Sequence, residues 1–182
     1  MSTSTKVTES WINTPAAFLA ADASGKIGKG NMSINKCKYS SPTYTTNPAW
    51  YRVAEFSVGY TSLLILVHSL WHKSIVPSQV VAFCPASYSS SGGNSSCSAL
   101  CGSAASACSR IRVLKGDHGT SYIEVQLRSD VSMSIDLTIL HDSTVKVYDA
   151  ATKVEDTVPT EFDGKCETFR LTTLGLGLAK ES

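Results

Sequence analysis

Residues 121–128 read Ser-Tyr-Ile-Glu-Val-Gln-Leu-Arg, with Ile123, Val125 and Leu127 on one side of a strict alternation and Tyr122, Glu124, Gln126 and Arg128 on the other. Successive side chains of a strand point to opposite faces, so this stretch predicts a β-strand with one face buried. Residues 110–114, Arg-Ile-Arg-Val-Leu, form a second strand-like run just upstream, and the intervening Gly116-Asp117-His118-Gly119 has paired glycines that suit the positive-φ positions of a tight turn. The two runs therefore predict a hairpin. Downstream, residues 132–140 repeat the alternation with Met133, Ile135, Leu137 and Ile139 inward, and residues 144–148 and 167–173 continue it. Upstream, residues 50–58 place Trp50, Arg52, Ala54, Phe56 and Val58 on one face. Residues 62–71 are almost wholly apolar, the pattern of a strand covered on both faces, and residues 79–84 form a shorter apolar run entered through Pro77.

Eight predicted strands with turn signals at short spacing, and no helical periodicity between Trp50 and Leu174, predict an all-β fold. The expectation is an antiparallel β-sandwich of the jelly-roll type. Parallel α/β architectures need crossover helices that this pattern does not supply.

The chain has 182 residues, 16 basic against 15 acidic, a formal charge of +1, 42% hydrophobic residues and 17% charged ones. That is enough apolar material for a single core of ordinary size and argues against disorder. A charge near zero creates no field to collect phosphate backbones, so no nucleic-acid partner is expected. The longest apolar runs, residues 16–21 and 63–67, are far shorter than the roughly 18 to 20 residues of a membrane helix, so no membrane span is expected, and no secretory leader is read at the start. Twenty-eight serines and 17 threonines make a surface that is polar without charge, which leans toward an extracellular binding or coat module.

Residues 1–35 differ from the remainder. They combine Trp11, Phe18, Leu19 and Ile27 with small residues and a Gly-Lys-Ile-Gly-Lys-Gly run at 25–30, and read as an N-terminal arm or neck preceding a head at 36–182. Thr14 followed by Pro15 suits the start of a short helix near 15–23. Aromatic residues in an arm call for burial, and a neighbouring subunit is the natural place.

Residues 85–109 break the strand pattern. Nine serines fall between 89 and 109 together with Gly92, Gly93 and three cysteines, which predicts a long excursion from one end of the head. Cys84, Cys97, Cys101 and Cys108 lie within one window and are candidates for disulfides inside that loop, with reduced thiols as the other reading; their connectivity is open. Their spacings match no common structural zinc pair.

No catalytic, phosphate-binding or dinucleotide motif is present, so neither enzymatic activity nor a cofactor nor a metal is expected. His68 and His72 lie some 13 Å apart along a strand at about 3.3 Å per residue, too far to share a metal. Tyr60, Trp71, Tyr88 and Tyr148, each near a predicted loop, are the candidates for stacking on sugar rings, and His118 joins them from the tip of the predicted hairpin.

The segment from Thr14 to Lys29, Thr-Pro-Ala-Ala-Phe-Leu-Ala-Ala-Asp-Ala-Ser-Gly-Lys-Ile-Gly-Lys, resembles the neck that precedes the globular tip of bacteriophage fibre proteins, particularly of phages infecting gut bacteria. Trp50-Tyr-Arg-Val-Ala-Glu-Phe56 is similar to the opening of their C-terminal heads, and Ile111-Arg-Val113 with residues 121–127 to the hairpin half of those heads. The likeness is one of pattern and covers most of residues 14–173; the serine and cysteine loop departs from it. The resemblance implies a homotrimeric virion fibre, assembled in the host cytoplasm and acting outside it. The arm would contact other virion proteins and the head a glycan or other receptor on the bacterial surface. A capsid-anchored head fibre or decoration protein, a free-standing carbohydrate-binding module and a small polysaccharide depolymerase are the alternatives.

Overall fold

A computed structural model describes residues 17–21, 27–40, 48–57, 59–71, 74–87, 94–101, 108–116, 119–127, 134–142 and 144–171. Within them the fold is all-β. Eleven strands follow one another: β1 (Ala17–Ala21), β2 (Ile27–Ser40), β3 (Ala49–Phe56), β4 (Leu63–Trp71), β5 (Ser74–Cys84), β6 (Ser96–Cys101), β7 (Cys108–Leu114), β8 (Ser121–Leu127), β9 (Ser134–Asp142), β10 (Val145–Val154) and β11 (Cys166–Arg170). A single 3-10 turn, Thr160–Phe162, precedes β11. No helix among the described residues is long and apolar enough to cross a membrane.

Ten strands form one path, β11-β7-β8-β3-β10-β2-β9-β4-β5-β6, with β1 alongside β2. Every neighbouring pair is antiparallel except β2 and β10, which touch in parallel through one rung, Ala150 with Lys38. That rung joins two five-strand halves. Their far ends curl toward each other and nearly close a barrel: Phe83 meets Phe169 edge to face at 5.8 Å, the Gln79 carboxamide bonds the Cys108 backbone, and Ser95 N–H donates to Glu167 Oε2 at 3.0 Å. The core lies inside, built from Phe56, Ile65, Phe83, Ile111, Ile123, Leu127, Leu137 and Ile139, all at most 2% exposed. Burying each such side chain contributes roughly 1.5–3 kcal/mol, and the alternation read in β8 and β9 supplies Ile123, Leu127, Leu137 and Ile139 of this core.

All eight predicted strands are present, and three more were not foreseen. The short helix expected near residues 15–23 is instead strand β1, paired antiparallel with β2 from Ala17 opposite Ser33 to Ala21 opposite Ile27. An alanine-rich segment has good helix propensity, but pairing with a strand edge overrides a preference of tenths of a kcal/mol per residue. The arm boundary expected at residue 35 falls inside β2, which pairs with β9 from Met32 to Ser40 and runs on past the end of β9 toward Ile27. Part of the glycine-rich run is therefore strand.

The loop expected over 85–109 contains β6, paired with β5 from Gln79 opposite Cys101 to Cys84 opposite Ser96. Its inward residues are Cys97 and Ala99 and its outward ones Ser96 and Ser98, a period of two written in small side chains. In β3 a bulge between Arg52 and Ala54 breaks the single-face reading: Val53, Ala54 and Phe56 join the core while Trp50 and Arg52 stand on the other face beside Gln126 and Glu124. Strand β4 buries Leu63, Ile65 and Val67, but Leu64 and Leu66 are only half-buried, so its second face is not fully covered. At the β7–β8 hairpin, a Cβ on Gly116 would stand 2.3 Å from the Thr120 carbonyl oxygen, which is why the turn needs glycine there.

Candidate functional site

The outer face of the β7–β8–β3–β10 half carries an ordered row of charged and aromatic side chains. Strand alternation puts Ile123 and Val125 inside, and hence Tyr122 and Glu124 outside. The β7–β8 register sets Arg112 opposite Glu124, and the β3–β8 register sets Arg52 opposite it from the other side. Glu124, fully buried, accepts from Arg52 Nε and Nη2 on Oε1 at 3.0 and 2.9 Å and from Arg112 Nε on Oε2 at 2.7 Å. The guanidinium of Arg52 lies 3.8 Å from the centroid of the Tyr122 ring, and that of Arg112 4.3 Å from the centroid of Trp50. A carboxylate between two guanidinium groups, each on a ring face, satisfies charges that would otherwise be costly to bury.

Two ends of this row differ. The segment after β10 crosses the Arg112 end: Arg112 donates Nη2 to Glu155 O at 3.0 Å and Nη1 to Asp156 O at 3.1 Å, and Phe162 meets Tyr122 edge to face at 5.9 Å. Arg112 is 3% exposed as a result, whereas Arg52 is 25% exposed. Beyond Arg52 the row continues into the open. Glu55 accepts from Lys146 Nζ at 2.9 Å and from the Tyr148 hydroxyl, and Lys146 is 71% exposed. The Tyr148 hydroxyl and the Lys146 ammonium hold the Glu55 carboxyl below its usual range, and burial together with the Glu55 bond raises the Tyr148 phenol. This open end, Arg52–Tyr122–Tyr148–Glu55–Lys146, combines two half-buried rings with fixed charges on a strand framework. It offers an apolar ring face and hydrogen-bonding edges within one patch, which is what a sugar ring requires.

A second polar cluster sits at the strand ends near Tyr60. Asp142 accepts from Thr61 Oγ1 at 2.9 Å, from Thr144 N at 2.7 Å and from the Thr144 hydroxyl. The His141 ring lies between Asp142 O at 2.6 Å and Asn35 Oδ1 at 2.8 Å, tying β9 to β2. Burial acts to raise the Asp142 carboxyl, but the Thr144 and Thr61 bonds outweigh it and hold the group below its usual range. A carboxyl depressed in the folded state stabilises the fold above its unfolded value, near pH 4, and loses that contribution as pH falls through the folded value. Urea unfolding at pH 7 and at lower pH is therefore expected to show an acid-dependent loss in the wild type that is smaller in Asp142→Asn. Coincident pH profiles would overturn the assignment.

Of the residues singled out in the sequence, Tyr148 belongs to the row on the outer face. Tyr60 is 63% exposed and pairs its backbone with Ala86 at the end of the strands where β3 stops and β4 starts. Trp71 ends β4 at the opposite end of the strands, and its side chain is outside those described; Tyr88 and His118 lie outside the described residues altogether. Among the described residues, Tyr60, Trp71 and Tyr148 therefore lie in separate regions. Arg52, Arg112 and Glu124 were not singled out. Their signal was present, since a hairpin centred on residues 116–119 sets Arg112 within one position of Glu124.

Cys84 is a free, exposed thiol 3.5 Å from the Ser62 hydroxyl, so a bridge from it to the loop is absent. Cys97 and Cys108 are buried, Cys108 Sγ donating to Arg110 O at 3.4 Å, and the Cys101 side chain is outside those described. Burial, reinforced by Asp149, pushes the Cys37 thiol up to about 12, which removes it as a nucleophile. Among the described residues no group of three or more His, Cys, Asp or Glu is placed to hold a metal ion. No protein-family model, curated protein or solved structure matches the chain.

Proposed function

We propose that this chain is the attachment head of a virion fibre, held to its particle by the N-terminal arm and contacting a glycan on the bacterial surface. One observation carries the reading: β2 is a single 14-residue strand whose later part is knitted into the head by β9 while its first residues, beyond the end of β9, pair with β1 alone. An arm continuous with a sheet strand transmits force and orientation without a hinge, as an attachment device needs. The resemblance of residues 14–29 and 50–56 to fibre necks and heads points the same way. In this reading the two halves of the sheet are the layers of a jelly-roll-type sandwich, folded about the Ala150–Lys38 rung. The protein acts without enzymatic activity, as a homotrimer on the virion.

The open end of the outer-face row is the surface offered to the glycan, with Tyr148 as the stacking ring. A carbohydrate-binding module is the second reading, favoured because Tyr148 and its charged neighbours Glu55, Lys146 and Arg52 all belong to a single chain. Light scattering on the full chain separates the two. A mass three times the 19.4 kDa of the single chain is expected, and a monomer at micromolar concentration would remove the fibre while leaving the module.

A further inference from the structure

The ligand chemistry of that patch follows from which hydrogen-bonding edges remain open. Glu124 is enclosed and accepts from both arginines. Glu55 presents each carboxylate oxygen to a donor, Oε1 to Lys146 and Oε2 to Tyr148. Each carboxylate of the patch is thus already paired with a cation, Glu124 with Arg52 and Arg112 and Glu55 with Lys146. The donors of the patch are not all used. Arg52 uses only its side edge, Nε and Nη2, on Glu124, so the end edge formed by Nη1 and the second Nη2 hydrogen has no partner among the described residues, and the group is a quarter exposed. A guanidinium has five N–H donors and can serve two carboxylates from two edges. Lys146 makes one ion pair with its three N–H groups, is largely exposed, and stands 5.6 Å from the centroid of the Tyr148 ring. Along the row three cations, Arg52, Arg112 and Lys146, face two anions, Glu55 and Glu124, leaving the row one positive charge in excess.

A neutral sugar hydroxyl donates as well as accepts and is best served by mixed partners. A site with spare donors, carboxylates already paired with cations and an excess positive charge instead suits a carboxylate beside an apolar ring face. We infer that the patch takes an acidic glycan, with the carboxylate of a uronate-type residue on the open edge of Arg52 and on Lys146 and the sugar ring against Tyr148. This rests on the glycan-binding reading above and adds the ligand class to it.

The test is calorimetry of the full chain with oligosaccharides of polygalacturonate, alginate and hyaluronan, each alongside its carboxyl-reduced counterpart, which keeps the glycan backbone and removes the charge. Binding of at least one native oligosaccharide, at least tenfold weaker after carboxyl reduction, is the expected result. In Lys146→Gln the affinity falls about tenfold, and in Lys36→Gln, on the other half of the sheet, it stays unchanged. Lys146 is exposed, so its substitution leaves the fold intact, and the circular dichroism spectrum verifies this. Equal binding of native and reduced forms would overturn the acidic ligand and leave the glycan reading standing; no binding to any member of the panel would overturn both.

Discussion

Glu124→Gln is expected to lower the unfolding free energy by about 3–5 kcal/mol. The carboxylate is fully buried and is the counter-charge of Arg112, itself 3% exposed. Glutamine keeps the volume and one acceptor, but leaves a guanidinium in the interior without compensation, and desolvation of that charge supplies the cost. The companion variant locates the effect. Arg112→Met combined with Glu124→Leu removes both buried charges, and is expected to be less destabilised than Glu124→Gln alone although it gives up the Arg112 bonds to Glu155 O and Asp156 O. Arg52, a quarter exposed, then returns to water. Urea midpoints at constant slope measure both. A loss below about 1 kcal/mol in Glu124→Gln, or a larger loss in the double variant, would show that the cluster is not the electrostatic anchor of this face.

Gln79→Leu is expected to cost about 2–5 kcal/mol by a different route. The Gln79 carboxamide, 1% exposed, donates Nε2 to Cys108 O at 2.6 Å and accepts from Cys108 N at 2.8 Å. It does with a side chain what a neighbouring strand does with its backbone, and it does so across the gap between β5 and β7, which are not neighbours in the sheet. Leucine fills a similar space but leaves a peptide N–H and C=O of Cys108 buried without these partners, each costing roughly 1–3 kcal/mol. Gln79→Glu is expected to fail similarly, because its second oxygen faces the Cys108 carbonyl. Hydrogen exchange gives the site-specific reading: the Cys108 amide should lose protection beyond the global loss of stability. Unchanged protection at Cys108 would overturn the role assigned to Gln79 in closing the sheet.

How much of this was legible before the fold was known depends on the size and partners of the residues involved. Ile123, Val125 and Leu127 announce a strand because large apolar side chains alternate with polar ones. The same period in β6 rests on Cys97 and Ala99, too small to stand out among serines, and the segment reads as loop. In β1 the alanines carry a helical preference that only the edge of β2 overrules. The β3 bulge is silent in the sequence, yet it decides that Arg52 stands beside Glu124 rather than facing the core. Tyr148 was recognisable as an aromatic residue near a loop. Its partner Glu55 was not, because the two are 93 positions apart and meet only through the β3–β10 register.

By itself, then, the sequence determined that the protein is built from strands and which residues of most of them form the core, because alternation is a local property and burial of each apolar face follows from it. It also implied the β7–β8 hairpin, but a turn centred on residues 116–119 would set Arg112 opposite Ile123, and only the observed register sets it opposite Glu124. Tertiary structure alone decided that ten strands share one nearly closed sheet, that Gln79 bridges its two sides, and that Arg52, Glu55, Lys146 and Tyr148 from two distant strands make one patch. Those outcomes depend on long-range register, where a shift of one residue would turn every side chain to the opposite face.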